Sequence, residues 1–331
     1  MTGLGGIFDK LSECLTINSS LCSRVRHKKS TCNNCEEICQ QQAIRITSVA
    51  GKVLIDFVRC NGCGKCVVVC PNRVFSLKKT EMGAFWLKCN TAVAKKQTIK
   101  IACSSCEFNN EDIIVIRTLA YVDRFALVKL FKIAVSDVVL INGDCDSCKH
   151  QCFNIAKNEV FIVNKIMKKG NTDKSVDIVY YKDLPAVKTN KNCEQLTRRE
   201  FFSFLRKKAE YKMGEMLYSI NESSLDDSRT LITGGNISDY KDFHSFIQAI
   251  EDFGLVEELN DIGAIHFAKV DRSVCTLCGI CQRVCPFGVI NLTETTLNGQ
   301  TKYTDIFVNT DSCSGCNLCL LVCPTKALTV K

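Results

Sequence analysis

Cys275, Cys278, Cys281 and Cys285 are followed by Pro286, and the same spacing returns at Cys313, Cys316, Cys319 and Cys323, followed by Pro324. This run, C-x2-C-x2-C-x3-C-P written twice, constrains the chain more than any other feature. Three thiolates at that spacing wrap one corner of a cubane, while the fourth, turned away by its proline, is free to ligate the other cluster of a pair. Two interlocked [4Fe-4S] clusters follow from the spacing. When every iron is capped by a thiolate, such clusters exchange single electrons and do little other chemistry. A zinc module would instead pair two short knuckles, not runs of four cysteines ending in Cys-Pro.

The pattern repeats near the other end. Cys60, Cys63, Cys66 and Cys70, followed by Pro71, form a third complete run, and ahead of it lies a damaged one. Cys32, Cys35 and Cys39 stand where the second, third and fourth ligands belong, but Lys29 occupies the first position and Gln40 replaces the proline. Cys22 is the nearest upstream thiol, and the loop between Cys22 and Cys32 closes at small entropic cost. Cys14 is the alternative first ligand and His27 a further one; with none of them, a three-iron cluster would be left.

Between the ligand runs, Ala43 to Ile46 and Val53 to Asp56 alternate around a Gly51 turn, which predicts a hairpin. Gly288 to Leu292 and Tyr303 to Phe307 repeat it, and apolar residues such as Val284, Ile290, Leu318 and Val322 lie between the ligands. On these residues, the stretch from about 270 to 331 resembles a bacterial two-[4Fe-4S] ferredoxin, and residues 15–80 resemble a second. The resemblance implies that Cys275, Cys278, Cys281 and Cys323 hold one cluster, and Cys313, Cys316, Cys319 and Cys285 the other. At the N-terminal end the same swap implies Cys22, Cys32, Cys35 and Cys70 for one cluster, and Cys60, Cys63, Cys66 and Cys39 for its partner. Four [4Fe-4S] clusters are expected, and at least two. In folds this small, clusters substitute for much of the apolar core.

From about 86 to 190 the pattern changes to alternating strands and helices, which predicts a small α/β layer with a parallel sheet. Ile99 to Ala102, Ile113 to Ile116, Val138 to Ile141 and Asp177 to Tyr180 read as strands, Asp123 to Ala134 and Phe153 to Met167 as helices. Cys103 and Cys106 follow the first strand, Cys145 and Cys148 the third. Ligands in open α/β sheets bind beyond the carboxyl ends of the strands, so these four thiols are expected to converge. Val122-Asp123, Ala134, Asp137 to Gly143, Cys145, Cys148 and His150 resemble the delta subunit of methyl-viologen-reducing hydrogenases. Those subunits bind a [2Fe-2S] cluster and link hydrogenase to heterodisulfide reductase; this chain departs from them at Tyr121, where they tend to carry a cysteine. The residues leave an iron–sulfur cluster such as [2Fe-2S], a structural zinc held by two C-x2-C knuckles, and no metal as alternatives, with Cys152 a spare ligand.

Residues 191–265 carry no metal pattern and read as a helical connector. Glu200 to Tyr218 is a basic amphipathic helix whose Phe201, Phe204 and Leu205 share a face, and Phe243 to Phe253 is a second helix stopped by Gly254. Arg198-Arg199 is similar to a twin-arginine export signal but lacks a following apolar segment. Cys89 and Cys193 read as buried or free thiols. His150 suits a contact with the cysteine site rather than ligation, and His244 and His266 are ordinary residues.

The 24 cysteines come without a secretory leader, which points to a reducing, cytoplasmic setting and anaerobic metabolism rather than a disulfide scaffold. No stretch is apolar for long enough to insert directly into a membrane. The formal charge of +8 is offset by four clusters at roughly −2 each. No nucleic-acid partner is therefore needed to explain it. The basic excess lies in the first 80 residues, 12 Lys+Arg against 5 Asp+Glu, where a docking face for an acidic redox partner is the alternative to a solvated surface.

The expected architecture is α+β: two ferredoxin-like 2[4Fe-4S] domains, 15–80 and 266–331, flanking the α/β module and its helical connector. The expected function is a non-catalytic electron carrier, a polyferredoxin serving redox proteins or oxidoreductase subunits in a hydrogenase-type complex. The alternatives are a catalytic oxidoreductase subunit with an open cluster and an iron–sulfur redox or oxygen sensor.

Overall fold

The computed structural model describes residues 15–47, 51–93, 98–106, 108, 112–132, 137–184, 246–248, 250–252, 266–297 and 300–330. Residues 1–185 and 234–331 form one compact unit; 186–233 form a second, which lies outside the described residues together with Cys14, Cys193 and the helix expected at Glu200 to Tyr218.

At the N-terminal end, β1 (Leu15–Ile17) leads into α1 (Ser23–Arg26) and α2 (Asn34–Ile38). The antiparallel hairpin of β2 (Ile44–Thr47) and β3 (Lys52–Ile55) follows, then α3 (Lys65–Val69) and β4 (Phe75–Leu77). β4 returns to pair antiparallel with β1, setting Leu15 opposite Leu77, so the domain is closed by its own two ends. Leu15, Ile44, Val53, Val74 and Phe75 form a small core. The helices are single turns because they only have to carry ligands between loops; alone they would not be stable.

A helix absent from the expected boundaries, α4 (Lys79–Val93), bridges the gap between residues 80 and 86. It packs on the next two strands, burying Phe85 and Cys89. The four parallel strands are β5 (Thr98–Cys103), β6 (Ile113–Ile116), β7 (Asp137–Asn142) and β8 (Ser175–Tyr180), in the order β6-β5-β7-β8. Val138, Leu140 and Ile141 of β7 are buried, as a parallel strand covered on both faces requires. Two helices lie in this module: α5 (Arg124–Lys132) and α6 (Phe153–Lys169). In α6, Ala156, Val160, Val163 and Met167 recur at helical spacing and are buried. Glu159 shares that buried face and would be costly there alone; it receives the Arg124 guanidinium at 2.6 Å and the Arg124 amide at 2.8 Å.

Residues 246–248, 250 and 251 are helical, within the helix expected from Phe243 to Phe253, and Phe246 stacks on Phe125 with ring centroids 4.6 Å apart.

The C-terminal domain repeats the N-terminal plan: β9 (Ala268–Val270), α7 (Ile280–Val284), the hairpin of β10 (Ile290–Leu297) and β11 (Gln300–Val308), α8 (Leu318–Val322) and β12 (Leu328–Val330). β12 pairs antiparallel with β9. Its hairpin is longer than the stretches expected, and its register shifts between Thr293 and Glu294; the bulge lets pairing continue through polar, exposed residues that alternation alone does not mark as strand.

Candidate iron–sulfur sites

The ligand turns share a backbone signature. Three residues after the last cysteine of each run, at Gln42, Arg73, Gly288 and Lys326, φ is positive. The complete runs also have positive φ two and four residues after their first cysteine: Gly62 and Gly64, Leu277 and Gly279, Gly315 and Asn317. Left-handed residues among right-handed ones turn successive amides inward and make concavities suited to anions and iron–sulfur clusters. The damaged run keeps only the second half of the signature: Asn33 has φ −132°, because no cysteine stands at position 29 to be positioned. After Cys39 the turn forms without a proline, and the Ala43 amide donates to Cys39 Sγ at 3.3 Å, as the Ala327 amide does to Cys323 Sγ at 3.3 Å.

These turns bring the expected thiols near one another. Cys35 is pushed up to about 12 by burial and then by the charges of Cys70, Cys22 and Cys32. Burial also raises Cys70, to about 11. Burial and then Cys63, Cys60, Cys35 and Cys39 raise Cys66, and Cys39, Cys60, Cys63 and Cys66 line one cavity. Cys319 is pushed up to about 12 by burial and then by Cys316, Cys313 and Cys285. Cys275, Cys278, Cys281 and Cys323 line another cavity. Burial favours the neutral thiol at Cys35, Cys66, Cys70 and Cys319, so loading these positions with iron releases protons and links cluster binding to folding.

Cys22, the least certain ligand by spacing, is buried between the single turns before and after it. The Arg24–Glu36 ion pair ties its loop to α2. Asn72, two residues beyond Cys70, donates from Nδ2 to the Leu21 carbonyl at 2.9 Å and to Ser23 Oγ at 2.8 Å, closing the set. His27 instead accepts a hydrogen bond from the Lys29 amide at its Nδ1.

In the middle module, the strand order reverses between β5 and β7, and the four cysteines gather beyond the carboxyl ends of these two strands, at the switch point of the sheet. Cys103 and Cys106 Sγ are 3.7 Å apart, and the Gly143 amide donates to Cys103 Sγ at 3.3 Å. A hydrogen bond from Cys106 outweighs burial and brings Cys103 down to about 5. Cys145 is raised by burial first, with the charges of Cys148 and Cys103 adding to it. Among the described residues, no three His, Cys, Asp or Glu side chains close on one point as tightly as a single metal ion requires.

Cys152 leaves this group. Its Sγ lies 3.4 Å from the His150 carbonyl and 3.7 Å from the Cys63 carbonyl, against the N-terminal domain. A hydrogen bond from Cys152 brings Cys63 down to about 6. Lys65, buried at 4% exposure, places its ammonium on Gln40 Oε1 at 3.0 Å, beside the same ligand turn. Neither role was legible in the ligand pattern, because each depends on a contact between modules or on a buried charge.

Two stretches, residues 30–74 and 274–327, match the family model of the 4Fe-4S dicluster domain. Both terminal domains are 4Fe-4S ferredoxin-like. The first matched stretch begins after Cys22 and contains Cys32, Cys35, Cys39, Cys60, Cys63, Cys66 and Cys70. The two dicluster domains support an iron–sulfur electron-transfer role. No curated protein and no solved structure matches the chain significantly. No helix among the described residues is long and apolar enough to cross a membrane.

Proposed function

We propose that this protein is a polyferredoxin that relays single electrons between redox proteins, as a component or partner of a larger oxidoreductase of the hydrogenase type. The observation that carries the reading is the pair of matched 4Fe-4S dicluster stretches, which lie in two domains of the same plan, each bearing two cysteine runs. A [4Fe-4S] cluster in each set supplies a one-electron couple whose potential depends on amide hydrogen bonds to sulfur, burial and nearby charge. The chain supplies each of these: amides at Ala43 and Ala327, buried sulfurs at Cys35, Cys66 and Cys319, and the ammonium of Lys65. The placement of Cys103, Cys106, Cys145 and Cys148 at the sheet's switch point supports a fifth centre, and with it the likeness to the hydrogenase delta subunit.

Anaerobic purification with iron, sulfide and zinc quantification, and EPR after dithionite reduction, tests the reading. It requires about sixteen to eighteen irons per chain with matching sulfide. About eight irons and one zinc would overturn it, leaving one working pair on a structural scaffold.

The irregular turn at residues 29–33 favours a second reading, an open and catalytic cluster at the first set. It requires an EPR signal that shifts on adding cyanide. The burial of Cys22 against Cys32, Cys35 and Cys70 argues for a closed site.

A further inference from the structure

Several contacts between modules are made by the ligand turns themselves, beside an apolar core that the α/β module shares with the C-terminal domain. Where the two terminal domains meet, Arg26, four residues after Cys22, donates from Nε to the Val284 carbonyl at 2.9 Å and from Nη2 to the Cys285 carbonyl at 3.1 Å. Ser314, next to Cys313, donates to Asn72 Oδ1 at 2.8 Å, and Asn72 is two residues from Cys70. Phe287, two residues after Cys285, packs on the N-terminal core. The residues on one side neighbour Cys22 and Cys70, and those on the other Cys285 and Cys313.

Where the N-terminal domain meets the α/β module, the Cys60–Cys66 turn makes most of the contacts, and Arg73, three residues after Cys70, adds an ion pair to Asp123 at 2.9 Å. Asn61 Nδ2 donates to the Lys149 carbonyl at 2.9 Å, and Thr118 Oγ1 to the Cys63 carbonyl at 2.8 Å. Gln40 Nε2 donates to Gln151 Oε1 at 2.6 Å. One side neighbours Cys39, Cys60 and Cys63, while Lys149 follows Cys148 and Gln151 precedes Cys152 on the loop that also carries Cys145. In the C-terminal domain, Cys278 is the exposed cysteine among the described residues.

We propose that the sites are joined through these turns into one path. It runs from Cys103/Cys106/Cys145/Cys148 to Cys39/Cys60/Cys63/Cys66, then Cys22/Cys32/Cys35/Cys70, then Cys285/Cys313/Cys316/Cys319, and reaches the surface at Cys275/Cys278/Cys281/Cys323. The order rests on the electron-carrier reading. Tunnelling falls off exponentially with distance, so the sets joined through their own turns exchange electrons faster than sets on opposite faces. Each transfer oxidises one site by one electron and reduces the next by one. A one-electron donor protein at one end and a one-electron acceptor protein at the other complete the balance.

Two double variants of the full chain test the order. Cys63→Ala with Cys278→Ala empties the outer sets of the two domains and leaves the inner two. Cys22→Ala with Cys316→Ala empties the inner sets and leaves the outer two. Each is expected to keep about eight irons in its terminal domains. After dithionite reduction, EPR spin–spin interaction between the domains is expected in the first and not in the second. Interaction in the second, or none in the first at full iron, overturns the order while the carrier reading stands. Should either variant fail to fold, Arg26→Ala with Ser314→Ala keeps every ligand; at unchanged iron it is expected to slow electron equilibration between the domains after flash reduction at least tenfold. Unchanged equilibration overturns the path. A wild-type chain without reducible clusters overturns the path and the carrier reading together.

Discussion

The Tyr121 hydroxyl donates a 2.9 Å hydrogen bond to the Gly62 carbonyl inside the Cys60–Cys63 turn, and its ring sits where a side chain on Gly64 would point. Gly64 has φ +77°, and a Cβ built there would approach the Tyr121 ring to 2.7 Å. The module therefore reads the N-terminal ligand turn by shape as well as by hydrogen bonds. Tyr121→Phe is expected to cost about 1 kcal/mol, one buried hydrogen bond. Gly64→Ala is expected to cost about 2 kcal/mol or more, from strained backbone and overlap together. Thermal unfolding of the anaerobic loaded protein measures both, and a neutral Gly64→Ala would contradict the packing described.

Cys22 and Cys14 make opposite predictions for iron content. Cys22→Ala is expected to lose about four irons per chain, about a quarter of the total. Cys14→Ala is expected to leave the iron unchanged. The reverse outcome would move the first ligand to Cys14.

Lys65→Met tests the buried ammonium beside the Cys60–Cys66 turn. A positive charge favours the state carrying one more electron, so its removal should lower that set's reduction potential. The expected size is on the order of 1 kcal/mol, or about 50 mV for a one-electron couple. A potentiometric EPR titration in which no potential falls would show that the ammonium is not felt by the cluster.

Arg124 and Glu159 form the ion pair between α5 and α6, with the Glu159 side chain 3% exposed. Arg124→Met leaves a buried carboxylate without its main partner and is expected to destabilise the α/β module by about 3 kcal/mol. Arg124→Met with Glu159→Met removes both charges and should recover much of the loss, which a double-mutant cycle in urea would show.

Iron chelation under reducing conditions should separate the modules by what holds them. The N-terminal core is small and its buried thiols lose their iron, so β2 and β3 should exchange amide hydrogens quickly. β5 and β7 carry fully buried Ile99, Ile101, Val138 and Leu140 and should stay protected. Equal exchange throughout would mean that the α/β module also depends on metal.

The complete ligand runs were legible because their information is local: three cysteines within seven residues place three thiols on one turn whatever surrounds it. The strands of the middle module were legible for a similar reason, since the Val138 to Ile141 run is apolar enough to require burial on both faces. The helix Lys79–Val93 was missed because it mixes Gly83 and polar residues with its apolar ones and gains its buried face only against β5 and β6. The damaged run showed what was missing but left Cys22, Cys14 and His27 as alternatives.

By itself the sequence determined the chemistry: thiolate spacing selects cubane clusters, and the apolar alternation selects a parallel sheet with cysteines at its strand ends. Only the tertiary structure decided which ligand turns touch the other modules. Asn72, two residues beyond Cys70, bonds to Leu21 beside Cys22, and the terminal domains meet through Arg26 and Ser314. Such contacts join side chains far apart along the chain, and no spacing or periodicity encodes a hydrogen bond that forms only after both domains have folded.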